Sequence, residues 1–105
     1  MIKFKSYGEE FTGCFEVNRY NNGNLAIDIM LGYGEPFESI TVNTNFVLNE
    51  DEAAVDTNNF PEAEDIIREY HLGENTGKSI KSGFCEYPVY KFNLSVVNQH
   101  TKILR

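Results

Sequence analysis

Apolar and polar side chains alternate from Phe11 to Tyr20. Phe11, Gly13, Phe15 and Val17 fall on one side, and Thr12, Cys14, Glu16 and Asn18 on the other, the two-residue period of a strand. Asn21-Asn22-Gly23-Asn24 follows, and Asn-Gly accepts the positive φ angles of a tight hairpin turn. The return strand gives the clearest signal in the chain: Leu25, Ile27, Ile29 and Leu31 point one way, Ala26, Asp28 and Met30 the other. Gly32-Tyr33-Gly34-Glu35-Pro36 breaks it, and Phe37 to Asn43 reads as a third strand with Ile40 and Val42 inward. These three segments predict an antiparallel meander.

Beyond a charged loop at 49–52, Ala53 to Asp56 reads as a short strand or extended segment. The period then becomes helical. Ala63, Ile66, Ile67 and Tyr70 share one face. Asn59 is placed to cap the helix, Pro61 suits its first turn, and Glu62 stands three residues after Asn59 as in a capping box. Glu62, Glu64 and Asp65 sit where the helix dipole favours anions. His71 falls in the last turn and Gly73 just beyond, as helix ends prefer.

Asn75 to Gly83 reads as a polar loop, and Phe84 to Val97 as a strand carrying Tyr87, Val89, Phe92, Leu94 and Val96. Its apolar parity shifts around Pro88, which predicts an edge strand or a bulge. Gln99 to Arg105 is a tail, strand-like at Ile103-Leu104. The expected fold is α+β: an antiparallel sheet of four to five strands with one amphipathic helix packed on one face.

At 105 residues the chain has room for one domain, 1–105, with 99–105 as a loose tail. Its composition is that of a globular protein, not of a disordered or collagen-like chain. No apolar run approaches the roughly 20 residues that span a bilayer. The start, Met1-Ile2-Lys3-Phe4-Lys5, lacks a signal-peptide stretch, so a cytoplasmic location is expected. Cys14 and Cys85 lie far apart without a metal or redox spacing, which suits a reducing compartment.

Charge changes the picture more. Sixteen acids against nine bases give −7, and the excess is local. Between Glu50 and Glu69 stand eight acids and a single base, Arg68, which accounts for the whole net charge. Such a lobe attracts basic surfaces and repels phosphates over about a Debye length, ~8 Å at physiological salt. A solvated face that keeps the protein soluble is the plainer alternative. Within the lobe, Glu62, Asp65 and Glu69 share the side of the helix opposite Ile66 and Ile67. At ~1.5 Å rise per residue they are spaced about 4.5 and 6 Å along the axis, a row suited to a groove that normally holds a phosphate backbone.

Other constellations weigh less. Gly73-Glu74-Asn75-Thr76-Gly77-Lys78-Ser79 resembles a phosphate loop, but only three residues separate its glycines and no helix follows. His71 and His100 have no His or Cys neighbour at metal-ligand spacing, so no metal and no cofactor are expected. Asp56-Thr57-Asn58-Asn59 opens like a calcium loop, yet Phe60 and Pro61 take the next ligand positions; a turn bonded to its own backbone is expected instead. His71 reads as a charge complement at the helix end, and Cys85 as a small buried hydrophobe. No acid–base couple stands out, and an enzyme is not expected.

Eight Phe and six Tyr are a heavy load for a small core, so some Tyr belong at the surface, with Tyr7, Tyr20, Tyr33 and Tyr87 the candidates. Tyr is enriched in interface hot spots, which makes Tyr33, Tyr87 and Tyr90 an alternative protein-binding set. Tyr87, Tyr90 and Phe92 near Lys78, Lys81 and Lys91 also suggest base stacking on a sheet, a third reading that the acidic lobe opposes.

Val55-Asp56-Thr57-Asn58-Asn59-Phe60-Pro61, then Leu72-Gly73, Thr76-Gly77 and Ser82-Gly83-Phe84-Cys85-Glu86-Tyr87-Pro88-Val89-Tyr90, resemble a small family of domains of unknown function over roughly positions 40 to 94. Proteins that look like this are encoded on phages and conjugative elements of Gram-positive bacteria. The resemblance carries over no catalytic residues. It implies a setting in which small acidic proteins often act against host restriction or CRISPR nucleases. The expected function is therefore a non-enzymatic inhibitor of a nucleic-acid-binding defence enzyme, docking through Glu50, Asp51, Glu52, Asp56, Glu62, Asp65 and Glu69 on a basic-surfaced host protein. Nucleic acid, membrane and small molecules are not expected as direct partners. The alternative is an accessory interaction module of element maintenance acting through its aromatic sheet surface.

Overall fold

In the computed structural model, which describes residues 1–32 and 34–101, the chain is mostly β. Two four-stranded antiparallel sheets and two short helices replace the expected single sheet and single helix. The first sheet has the order β1-β2-β3-β4. Strand β1, Ile2–Ser6, buries Ile2, Phe4 and Ser6 and exposes Lys3 and Lys5. It turns into β2, Glu9–Arg19, through Tyr7 and Gly8, both at positive φ (53° and 79°), the backbone of a type I′ hairpin turn. Between β2 and β3, Leu25–Leu31, the Gly23 N–H reaches Tyr20 O at 2.8 Å and Gly23 takes φ 89°. That is a longer loop than the tight Asn-Gly turn expected, a turn closed by one left-handed glycine.

The expected third strand splits at Ile40. Pro36–Ser39 (β4) pairs with β3, whereas Thr41–Val42 (β5) pairs with Glu52–Val55 (β6) in the second sheet. Ile40 itself donates its N–H to Ile27 O and accepts at its carbonyl from Asp56 N, both at 2.9 Å. One fully buried residue thus passes the chain from sheet to sheet. The corner also corrects the expected inward pair: Thr41 is buried next to Ile40, and Val42 is only half-buried.

The second sheet has the order β5-β6-β8-β7. Strand β7 is Gly73–Ser82, where a polar loop was expected, and β8 is Cys85–Phe92. Strand β7 lies at the edge and buries only Ile80, so it carries no alternation to read. Gly83, at φ 63°, supplies the first position of the tight turn to β8. The expected irregularity near Pro88 is present, but in the neighbouring strand. Asn75 pairs with Tyr90 and Ser79 with Pro88, so Thr76, Gly77 and Lys78 bulge opposite Val89. The bulge is held by Gly77 N–H on Asn75 Oδ1 (2.8 Å) and Thr76 Oγ1 on Val89 O (2.8 Å). Pro88 is tolerated in an inner strand because β6 ends its pairing at Val89.

Helix α1 spans Ala63–Glu69 and buries Ala63, Ile66 and Ile67, as the stripe predicts. Its caps differ from expectation. Asn59 does not cap it; the Asp56 carboxylate holds the Asn59 backbone and side-chain N–H groups, each at 3.1 Å, and Glu62 is the N-cap with no capping bond from its side chain. At the other end His71, not Gly73, adopts the left-handed conformation (φ 56°). The Leu72 N–H bonds Ile67 O and the His71 N–H bonds Arg68 O, which is a Schellman closure. Gly73 is needed for another reason: a Cβ there would collide with the Lys91 backbone carbonyl of β8.

The end of the expected last strand is helix α2, Leu94–Asn98. The Asn93 side chain accepts from Val96 N and starts a helix in a run whose β-branched residues suggested a strand. The beginning of the expected tail is attached: Phe15 N–H bonds His100 O at 3.0 Å. Ile103 and Leu104 lie outside the described residues. One core cluster draws Ile2, Phe4, Phe15, Leu25, Ile27 and Ile29 from the first sheet, Val55, Tyr90 and Phe92 from the second, and Ile66, Ile67 and Val97 from the helices. Among the described residues no helix is long and apolar enough to cross a membrane.

Candidate functional site

The acidic segment folds around α1, and its carboxylates do not stay together. Glu52 and Asp56 are buried, each at 7% exposure, which corrects their place in a solvent-facing set. Glu52 accepts from the Asn49 N–H and pairs with Lys78 Nζ at 3.5 Å, and Asp56 makes the turn that leads towards α1. Both are anions used inside the fold. Their partners come from a polar loop and an edge strand, neither of which marks them in the sequence.

The remaining acids line two depressions. A groove of about 590 Å³ runs between α1 and β1 and is lined by Glu62, Asp65 and Glu69 with Lys3, Lys5 and Glu10. Glu62 is half-buried and accepts from Ser6 Oγ at 3.3 Å, while Asp65 and Glu69 are exposed. Here the three-carboxylate row forms as the helical spacing requires. Arg68 pairs with Asp65, an exposed pair of small energetic weight. Lys3 and Lys5 face the row, yet among the described residues the ion pairs are Arg68–Asp65 and Lys78–Glu52.

A larger cleft, of about 940 Å³, opens where β7 and β8 meet α1, the start of α2 and the loop before β6. Asp51, Glu64 and Glu74 bring carboxylates into it, Arg68, His71 and Lys91 bring bases, and Ile67, Phe92 and Leu94 give it apolar walls. Glu50, nearby in sequence, is exposed. Glu64 accepts from Tyr90 Oη at 2.5 Å. Burial and that bond push the Tyr90 hydroxyl up to about 12. Glu74, in β7, also lines the cleft, where the polar sequence predicts a loop and no site residue.

The aromatic set is corrected as well. Tyr87 and Tyr90 are both buried, at 8% exposure, so they do not form an open surface; Tyr33 lies outside the described residues. A hydrogen bond with the Cys85 side chain, then burial, raises the Tyr87 hydroxyl. Cys85 is half-exposed, not the buried hydrophobe expected. The apolar side chains that do face solvent include Tyr7, Phe46, Val47 and Phe84, of which only Tyr7 was anticipated. Phe46 and Val47 follow Asn43-Thr44-Asn45, where three polar residues interrupt the strand pattern; that break was the available signal.

The phosphate-loop look-alike lies in β7 and its bulge. There the amides of Gly77 and Lys78 are taken by the Asn75 and Thr76 side chains, at 2.8 and 3.2 Å, and do not converge on an external anion. Asp56-Thr57-Asn58-Asn59 is the self-bonded turn expected. Among the described residues no group of three or more His, Cys, Asp or Glu is placed to hold a metal ion.

Against known proteins, no curated protein and no solved structure matches the chain. A family described as a domain of unknown function, DUF4313, matches residues 14–103, which takes in both sheets from the middle of β2 onward, both helices, the groove-lining row on α1 and the cleft. The chain belongs to the DUF4313 family.

Proposed function

We propose that the protein is a non-enzymatic inhibitor that binds a basic-surfaced host protein and keeps nucleic acid off that protein's binding channel. One observation carries this reading. The segment that holds the whole net charge of −7 directs Glu50, Asp51, Glu62, Glu64, Asp65 and Glu69 to solvent or into surface depressions, even after Glu52 and Asp56 are set aside. Anions so placed attract a cationic surface at long range and supply the complementary charge on contact. The likeness to proteins of phages and conjugative elements supports a CRISPR or restriction nuclease as the partner class.

The test is a nuclease-protection assay over a panel of purified CRISPR and restriction nucleases, with the wild type and an Asp65→Lys/Glu69→Lys double variant. Both side chains are exposed, so the variant keeps the fold. The wild type is expected to protect DNA from at least one nuclease, and the double variant to need at least about tenfold more protein for equal protection, the ~1.4 kcal/mol of two rim charges. Equal protection by both forms contradicts an electrostatic mechanism.

A further inference from the structure

We propose that Phe46 and Val47 are the apolar anchor of this interaction, seating in a hydrophobic socket ringed by lysine or arginine on the partner protein; this rests on the basic-partner reading above. Phe46 is 59% and Val47 74% exposed, adjacent in sequence, in the loop that joins β5 to β6. Two large apolar side chains set side by side in water can supply the desolvated centre of an interface.

The loop is fixed in place. Asn24, 3% exposed, donates from Nδ2 to Phe46 O at 2.7 Å and to Asn43 Oδ1 at 3.3 Å, and its Oδ1 accepts from Leu48 N at 2.9 Å. Asn22 Nδ2 adds a bond to Thr44 O at 3.0 Å. A single buried amide therefore clasps the backbone at Phe46 and at Leu48, on both sides of Val47. The entropy of ordering the loop is lost on folding, not on binding, which is what makes a preorganised anchor effective.

Charge selects the occupant. Glu50 and Asp51 follow within the same loop, and among the described residues their carboxylates meet no hydrogen-bond or ion-pair partner. Arg19 directs Nη1 to the carbonyls of Glu50 and Gly23 and forms no ion pair with either carboxylate. The register places Glu52, Gly73 and Phe92 together at one end of the second sheet, so the loop adjoins, through Asp51, the cleft of mixed charge in which Glu64 and Glu74 stand with Arg68 and Lys91. An apolar pair beside unpaired carboxylates repels a second copy of this −7 chain, nucleic acid and anionic lipid alike, and fits a cationic protein surface.

The experiment titrates isotope-labelled protein with a synthetic amphipathic helical peptide of leucine and lysine, read by backbone amide shifts. A leucine–glutamate peptide and a glutamine–lysine peptide serve as charge and apolar controls. Shifts are expected to centre on residues 43–51 for the leucine–lysine peptide alone. A Phe46→Ser/Val47→Ser variant, with an unchanged amide spectrum elsewhere, is expected to bind it at least about tenfold more weakly. Equal binding by the variant, shifts centred away from this loop, or equal binding of the leucine–glutamate peptide each overturn the anchor. If the Ser variant still protects DNA while Asp65→Lys/Glu69→Lys does not, the anchor falls and the basic-partner reading stands; loss of protection by neither variant removes both.

Discussion

Strands β1 and β7 both lie at the edge of a sheet, and they handle the exposed edge differently. In β1 the free edge is closed by a side chain. The Tyr70 hydroxyl, at the end of α1, accepts from Lys3 N at 2.7 Å and donates to Lys3 O at 2.9 Å, taking up both backbone groups that this one residue would offer to a further strand. In β7 the edge is left to solvent, and regular pairing is interrupted by the Thr76-Gly77-Lys78 bulge and by exposed Lys78 and Lys81. The first edge is stabilised by the core behind it, because Ile2 and Phe4 belong to the main cluster. The second is held chiefly by backbone pairing with β8, and its one buried side chain, Ile80, lies outside that cluster. Edge protection by packing and edge protection by distortion coexist in one small fold.

The comparison breaks most visibly under truncation. Phe4→Ala is expected to destabilise the protein by about 3–5 kcal/mol in denaturant unfolding, because it empties a site packed by Phe11 and Phe37. Ile80→Ala is expected to cost less, about 2 kcal/mol. Equal losses would mean that β7 is built into the core as firmly as β1. Next in size, Tyr70→Phe keeps the ring and removes both bonds to Lys3, for about 1–2 kcal/mol. It also reopens the β1 edge, so elution from a sizing column should become concentration-dependent; a strictly monomeric variant would show that the hydroxyl does not guard the edge.

Gly77→Ala places a side chain at φ 84° and is expected to cost about 1 kcal/mol, confined by hydrogen exchange to the β7–β8 hairpin. The smallest effect is one of pH. Tyr90 is neutral in the fold and ionises near 12, above the usual value of 10. Its contribution to stability is therefore complete below pH 10 and is lost as pH rises from there through 12. Phenolate absorbance should show a late step that Tyr90→Phe removes.

The same contrast explains what was legible. Strand β2 and the inward stripe of α1 are readable because each has one wet and one dry side, and β3 because Asp28 and Met30, both half-buried, alternate with the fully buried Ile27 and Ile29. Strand β1 has the same alternation, but its turn is Tyr7-Gly8, which carries no Asn-Gly signal of a hairpin. Strand β7 has no dry side for most of its length, so polarity alone made it a loop. Helix α2 depends on the Asn93 cap, a local bond that outweighs the β preference of Val96 and Val97. At the candidate site the charge surplus and the α1 row were visible. That Glu52 is consumed by Lys78, or that Tyr87 and Tyr90 are buried, depends on pairings across the second sheet that no local pattern announces.

Ionic strength offers the most direct test of the proposed acid-driven interaction. Protection of DNA from a susceptible nuclease should weaken steeply as sodium chloride is raised, because screening removes the long-range attraction of the 50–69 carboxylates while leaving apolar contact in place. Protection that stays flat across the salt series would contradict an acid-driven interaction.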